Sequence, residues 1–229
     1  AGTPGISRLE GDDWGYGYTL GAQVKLLPTT TLGLNYRSSV HYDLDGRIEI
    51  EDAPAPGSFT TVDAKASLVT PDIASVGLSH MLNDRWTIMG QANWYGWNNF
   101  NDISALPDAG SGFPTPAPVV QNYQTTWAFS AGAEYMYSPE WTFRGGIQYD
   151  KTPTTDEFRT TRTPDGDRTW FSAGATYKIN EQFSVDGLLT YIHIADQEID
   201  LVRNGGAATV SADTEGDVGI VGLGLNYKF

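Results

Sequence analysis

Few residues of this chain could do covalent or metal chemistry. Cysteine is absent, and there are three histidines, His41, His80 and His193. Acyl transfer needs a hydroxyl or thiol nucleophile beside an imidazole that a carboxylate orients. Ser39, His41 and Asp43 stand two residues apart and would share one face of an extended strand, but period-two alternation produces such trios without any catalytic purpose. His80 and His193 fall in the apolar register of their segments. Asp43-Leu-Asp-Gly46 and Pro164-Asp-Gly-Asp167 have the carboxylate density of a Ca2+ loop, and ordinary Asp-Gly turn chemistry accounts for both. No catalytic residue, metal ligand or cofactor is therefore assigned, and the protein is read as a non-enzyme. Charge excludes a further class. Against 14 basic residues stand 28 acidic ones, a net charge of -14, which is the wrong sign for a partner bound through phosphates, so nucleic acid is excluded.

The elements that must position the remaining polar groups are strands. Val221, Leu223, Leu225, Tyr227 and Phe229 alternate with Gly222, Gly224, Asn226 and Lys228; Phe183, Val185, Leu189 and Tyr191 alternate with Ser184, Asp186, Leu188 and Thr190. The same period of two predicts nine antiparallel strands near 14–26, 31–44, 74–82, 86–100, 124–137, 141–150, 168–179, 183–194 and 215–229, with residues 1–13 as a loop. No run approaches the roughly 18 to 20 apolar residues of a spanning helix. The mean hydropathy of -0.33 does not argue against a membrane barrel, in which only alternate residues meet lipid.

Two regularities separate this pattern from a soluble sandwich. Aromatic residues sit at the ends of the apolar stripe: Trp86, Tyr137, Trp141, Tyr177, Phe183, Tyr227 and Phe229 beside short turns, and Trp14, Tyr42, Trp94, Trp127, Tyr149, Phe171 and Tyr191 near long connections. Short turns at Pro28-Thr29, Asn83-Asp84, Ser138-Pro139-Glu140 and Asn180-Glu181 alternate with long polar connections around 45–72, 101–123, 151–167 and 195–214. Periplasmic turns and external loops of a barrel differ in this way. A sandwich that buries both apolar faces in one core has no reason to place Trp and Tyr at both strand ends. The fold class expected is all-β, an antiparallel transmembrane β-barrel in the bacterial outer membrane, in contact with its lipid.

Glu10-Gly-Asp-Asp-Trp-Gly-Tyr-Gly17, Leu34-Asn-Tyr-Arg-Ser38, Trp141-Thr-Phe-Arg-Gly-Gly146 and Pro164-Asp-Gly-Asp-Arg-Thr-Trp-Phe-Ser-Ala-Gly174 occur in this order before a terminal Phe229. Together, from about Glu10 to Phe229, they resemble the FadL family of outer-membrane transporters for long-chain fatty acids and other hydrophobic compounds. The resemblance implies a barrel of about fourteen strands plugged by an N-terminal hatch. This chain would supply its C-terminal nine strands, as one barrel domain incomplete on its N-terminal side, and the hatch and about five strands would come from elsewhere.

In the inward register most residues are polar, and Met89, Tyr95, Trp170, Leu188 and Ile192 are not. These five either line a wall for an apolar ligand or pack against a hatch and neighbouring side chains. Arg144 with Glu134 or Asp186 would brace adjacent strands, a role favoured over substrate contact. The resemblance also implies a basic residue that holds a fatty-acid carboxylate just before the strand near Gln124. Here that position is about Val120, and no Lys or Arg lies between Arg85 and Arg144. The expected partner is a long-chain fatty acid or a neutral hydrophobic small molecule, moved passively. The alternative is a general porin or surface-receptor barrel without hydrophobic specificity.

Overall fold

A computed structural model of the chain describes residues 6–51, 57–112, 115, 118–203 and 208–228. In chain order the strands are β1 (Ile6–Asp12), β2 (Thr19–Leu27), β3 (Thr30–Arg37), β4 (His41–Glu51), β5 (Phe59–Val69), β6 (Ile73–Met81), β7 (Trp86–Tyr95), β8 (Asp102–Ile103), β9 (Ala105–Pro107), β10 (Val119–Val120), β11 (Thr126–Met136), β12 (Trp141–Asp150), β13 (Arg168–Lys178), β14 (Phe183–Arg203) and β15 (Ala208–Tyr227). A single 3-10 turn at Trp97–Asn99 is the helical element among the described residues, and no helix is long and apolar enough to cross a membrane.

Nine strands form the principal sheet, antiparallel throughout, in the order β2-β3-β6-β7-β11-β12-β13-β14-β15. Their register puts like opposite like. Tyr135 stands opposite Trp86 and Phe143, Ile147 opposite Ala131 and Phe171, and Leu189 opposite Ala173 and Val221. On the other face Ser130 stands opposite Gln91 and Gln148, and Thr176 opposite Thr142 and Asp186. The apolar face is the exposed one: Leu223 is 86% and Leu225 81% accessible. An aqueous sandwich would hide those residues, whereas a wall facing lipid gains from them. Rings pair across strands at the turn end, Trp86 with Tyr135 at 4.5 Å, Trp141 with Tyr177 at 4.7 Å and Phe183 with Tyr227 at 4.7 Å, as a belt at a membrane interface requires. Phe229 lies outside the described residues. Strands β2 and β15 are the two edges of this sheet, which is open.

The expected loop at 1–13 is corrected: Ile6–Asp12 is a strand paired to β4, because β4 continues beyond the principal sheet and offers a free ladder there. The single strand expected over 31–44 is two strands, and the connections expected around 45–72 and 195–214 carry the β4–β5 hairpin and the outer parts of β14 and β15. A second sheet has the order β1-β4-β5-β9. That order repeats β2-β3-β6-β7 strand for strand, so it is the barrel wall resumed above an aligned break at residues 13–18, 38–40, 70–72 and 96–104. Side chains replace ladder bonds at the break. The Tyr18 amide donates to Ser38 Oγ at 3.0 Å, and the Val40 amide donates to Thr70 Oγ1 at 2.9 Å.

Above the break the pattern inverts. Leu44, Ile48, Val62 and Ala64 share a face, and Ile48 is only 5% exposed. The opposite face carries exposed ion pairs, Arg47–Glu10 at 3.0 Å, Arg47–Glu49 at 2.8 Å and Lys65–Asp45 at 2.6 Å, and the bond to Asp45 holds the Lys65 ammonium above its usual range. Tyr42, expected in the lipid belt, belongs to the covered face; with Val40 it packs against Gly15, where a Cβ would overlap both side chains.

Two outcomes follow. Leu189→Arg, on the exposed apolar face, is expected to cost about 2–4 kcal/mol at mid-membrane and to abolish heat-modifiable gel mobility, while Leu188→Arg on the other face keeps it. A side chain at Gly46 would strike the Glu10 carbonyl and the Gly11 Cα of β1, so Gly46→Val should release β1 and open residues 6–12 to limited proteolysis. Gly219→Val, in open space, should not.

Candidate functional site

The six residues singled out as the inward wall, Met89, Tyr95, Trp170, Leu188, Ile192 and Arg144, do share the face opposite the lipid-exposed one, but they occupy different heights. Four cavities lie along that face, and three of them hold the residues singled out. The inner one, about 400 Å³, sits toward the short turns and is lined by Arg144, Ser172, Asp186 and Leu188. The middle one, about 440 Å³, is lined by Met89, Gln91, Ser130, Gln148, Trp170 and Ser172. Gln23 of β2 and Trp170 of β13 both line it, so the sheet curls around this space. The outer one, about 460 Å³, lies at the loop ends of the strands and is lined by Tyr95, Trp97, Tyr123, Asp150, Lys151 and Arg168. Ile192 stands directly opposite Trp170 and is buried.

Arg144 is the centre of a chain of bonds across five strands. Its Nε meets Glu134 Oε2 at 2.7 Å on β11, and its Nη1 donates to Thr176 Oγ1 at 2.6 Å on β13. Thr176 Oγ1 donates to Asp186 Oδ1 at 2.5 Å on β14, and Asn226 Nδ2 on β15 donates to Asp186 Oδ2 at 2.5 Å. One cation and two carboxylates are joined through neutral hydroxyl and amide groups, so each charge has a hydrogen-bond partner. The arrangement ties strands together and leaves Arg144 no unpaired charge to offer.

The outer cavity contains what sequence reasoning missed. Arg168 pairs with Asp150 at 3.5 Å and with Asp165, while Trp97, Phe100 and Tyr123 form a cluster with ring centroids 5.1 to 6.3 Å apart. The segment 151–167 closes over it. Gln124 N donates to Pro153 O at 3.0 Å, Thr163 Oγ1 donates to Gln121 Oε1 at 3.3 Å, and Ala195 N donates to Asp167 O at 2.8 Å. Arg159, almost fully buried within that segment, donates to Asp165 O at 3.0 Å and meets Asp156 at 2.6 Å. Three aromatic residues between β7 and β11 were a usable signal, since a solvated loop has no use for them.

The histidines are dispersed. His80 Nδ1 bonds Thr30 Oγ1 at 2.8 Å, His193 meets Asp217 at 3.0 Å on the exposed face of β14 and β15, and Asp43 accepts from Ser67 Oγ at 3.1 Å. Among the described residues no group of three or more His, Asp or Glu side chains could hold a metal ion.

An inward face of stacked cavities, an outward face of lipid-exposed apolar residues and an external extension make a specific combination. The family model for the outer membrane protein transport protein, OMPP1/FadL/TodX, matches residues 2–229. The chain belongs to this family. Its similarity to the long-chain fatty acid transport protein of Escherichia coli O6:H1 (strain CFT073) is 30% identity over 98% of this chain and 52% of that protein. A putative outer membrane protein of Neisseria meningitidis serogroup B is 28% identical over 98% of this chain and 53% of its own length. The crystal structure of a Pseudomonas aeruginosa FadL homologue superposes with a TM-score of 0.87 at 25% identity, covering 97% of this chain and 54% of that one. The CymD monoaromatic hydrocarbon channel, at 24% identity and a TM-score of 0.67 over 83% of this chain and 52% of its own, shares the fold. The chain spans about half the length of the curated relatives it matches. It is an outer-membrane protein with a FadL-type barrel sheet.

The Arg144 chain makes a prediction of its own. Arg144→Ala leaves Glu134 without its cation and removes the donor to Thr176, which in turn bonds Asp186, and Arg144 is itself 46% exposed, so the loss of stability is expected on the order of 1 kcal/mol. It should show as a drop of a few degrees in the temperature at which gel mobility converts, which Arg144→Lys partly restores.

Proposed function

We propose that this protein passes long-chain fatty acids or neutral hydrophobic small molecules across the outer membrane by passive diffusion between the outer, middle and inner cavities of its lumenal face. The observation that carries this reading is the middle cavity. Met89 and Trp170 come from β7 and β13, three strands apart in the sheet order, and wall one space at the centre of a face that is otherwise polar. Apolar side chains placed there have no lipid to meet, and an apolar ligand satisfies them. Tyr95 with Trp97 and Tyr123 provides an aromatic surface above it, and Leu188 an aliphatic one below. The name of the Escherichia coli relative, a long-chain fatty acid transport protein, agrees with this substrate class.

Burying a Met side chain against a ligand is worth about 1.5–3 kcal/mol, roughly ten- to a hundredfold in affinity. Met89→Asp is therefore expected to lower uptake of a radiolabelled long-chain fatty acid at least about tenfold, with heat-modifiable mobility retained because the position is lumenal. Uptake unchanged in Met89→Asp, together with free flux of small hydrophilic solutes through the wild-type protein, would place it among general porins.

A further inference from the structure

We infer that the middle cavity is a subsite for the uncharged hydrogen-bonding group of an otherwise apolar ligand, a hydroxyl, carbonyl or protonated carboxyl, with Trp170 as the residue that recognises it. The inference rests on the transport reading and adds a selectivity to it.

The first support is the chemistry of the lining. No ionisable side chain lines the middle cavity, whose polar groups are amides and hydroxyls such as Gln91, Gln148, Ser130 and Ser172. The cavities on either side are charged, with Asp150, Lys151, Asp165 and Arg168 in the outer one and Arg144 and Asp186 in the inner one. An ion brought to the middle layer meets no counter-charge on this wall among the described residues and loses hydration, a cost of several kcal/mol, while a neutral polar group meets partners of its own kind.

The second support is an unused donor. Trp170 Nε1 is shielded from solvent and has no hydrogen-bond acceptor among the described residues. An indole N–H can only donate. Of the wall amides, Gln148 stands directly opposite Trp170, and Gln91 is partly committed, its Nε2 donating to Asn93 Oδ1 at 2.7 Å. A buried, unpaired N–H is costly, and a ligand acceptor that reaches it offsets that cost. The third is the apolar part of the same wall. Met89 and the ring of Trp170 both line the cavity, with Ile192 packed opposite Trp170, so a ligand's apolar body has contact beside the indole. A pure hydrocarbon would use only that apolar contact.

The test reconstitutes the barrel as isolated from the outer membrane into liposomes and measures influx of three matched probes, toluene, benzyl alcohol and benzoate. Wild-type protein should carry benzyl alcohol well and benzoate poorly. Trp170→Phe keeps the ring and deletes the donor, and it should lower the ratio of benzyl alcohol to toluene influx by about five- to tenfold, the worth of one hydrogen bond. Gln148→Leu, a second variant at the same cavity, should move the ratio in the same direction. Heat-modifiable mobility verifies that each variant is folded. A ratio unchanged in both folded variants overturns this inference and leaves the transport reading intact. Failure of folded wild-type protein to carry any of the three probes overturns the transport reading and this inference with it.

Discussion

A peptide group in hydrocarbon has no water to bond, so every N–H and C=O of a spanning segment must find a partner in the protein, at a cost of several kcal/mol for each that does not. The rest of this structure depends on that constraint. It is why the membrane part is a continuous antiparallel ladder from β2 to β15. It is also why a two-residue period, and not total hydropathy, carries the membrane signal. The ladder is kept up even where the strands break, with the hydroxyls of Ser38 and Thr70 accepting from the amides of Tyr18 and Val40. In an open sheet β2 and β15 each present a row of such groups, and burial in lipid demands strands against both edges.

The same backbone serves two solvents. Below the aligned break, apolar side chains are exposed and polar ones line the concave face; above it, Ile48, Val62 and Ala64 are covered and the Asp45, Arg47 and Lys65 side chains are exposed. Strand order is conserved across the break, so what changes is the medium outside the wall. Lipid rewards an apolar exterior, and water rewards a charged one. The break therefore marks the height at which the wall leaves the membrane, and Trp14, Tyr16 and Tyr18, among the most exposed aromatic residues, lie at that height.

Those physical terms also account for what the sequence disclosed. Period two assigns a side chain to a face, and tight turns such as Asn180-Glu181 fix the register of the strands they join, so the opposition of Trp170 to Ile192 and of Tyr177 to Val185 could be read from residue spacing. Alternation does not say which medium covers a face. Tyr42 and Ile48 alternate as well as Tyr36 does, and the residues that break the wall, around 38–40, carry no proline or glycine of their own, so one strand was expected where there are two. Height in the lumen was equally hidden. Met89 and Trp170 meet through registers accumulated over four strands, and the outer cavity depends on contacts between separate loops, such as Gln124 with Pro153 and Thr163 with Gln121. Such contacts leave no periodic trace.

Charge is layered along the inner face for a reason that the bilayer supplies. The ion pairs of Arg144 lie toward the turns and those of Arg168 at the loop rim, both nearer to water than the middle layer, where uncompensated ions would be most costly. A polypeptide that must keep a polar concave face through the centre of a membrane can do so with amides and hydroxyls, which bond one another at little cost, as Ser172 does with Thr190 at 2.9 Å. The uncharged centre is thus first a condition of stability. In the proposed transport it is a condition of passage as well, because a molecule moving along this face would shed water at the rim and have to match the layer it enters. The proposed selection by the neutral state of a permeant would draw on the same energetics that let the barrel exist.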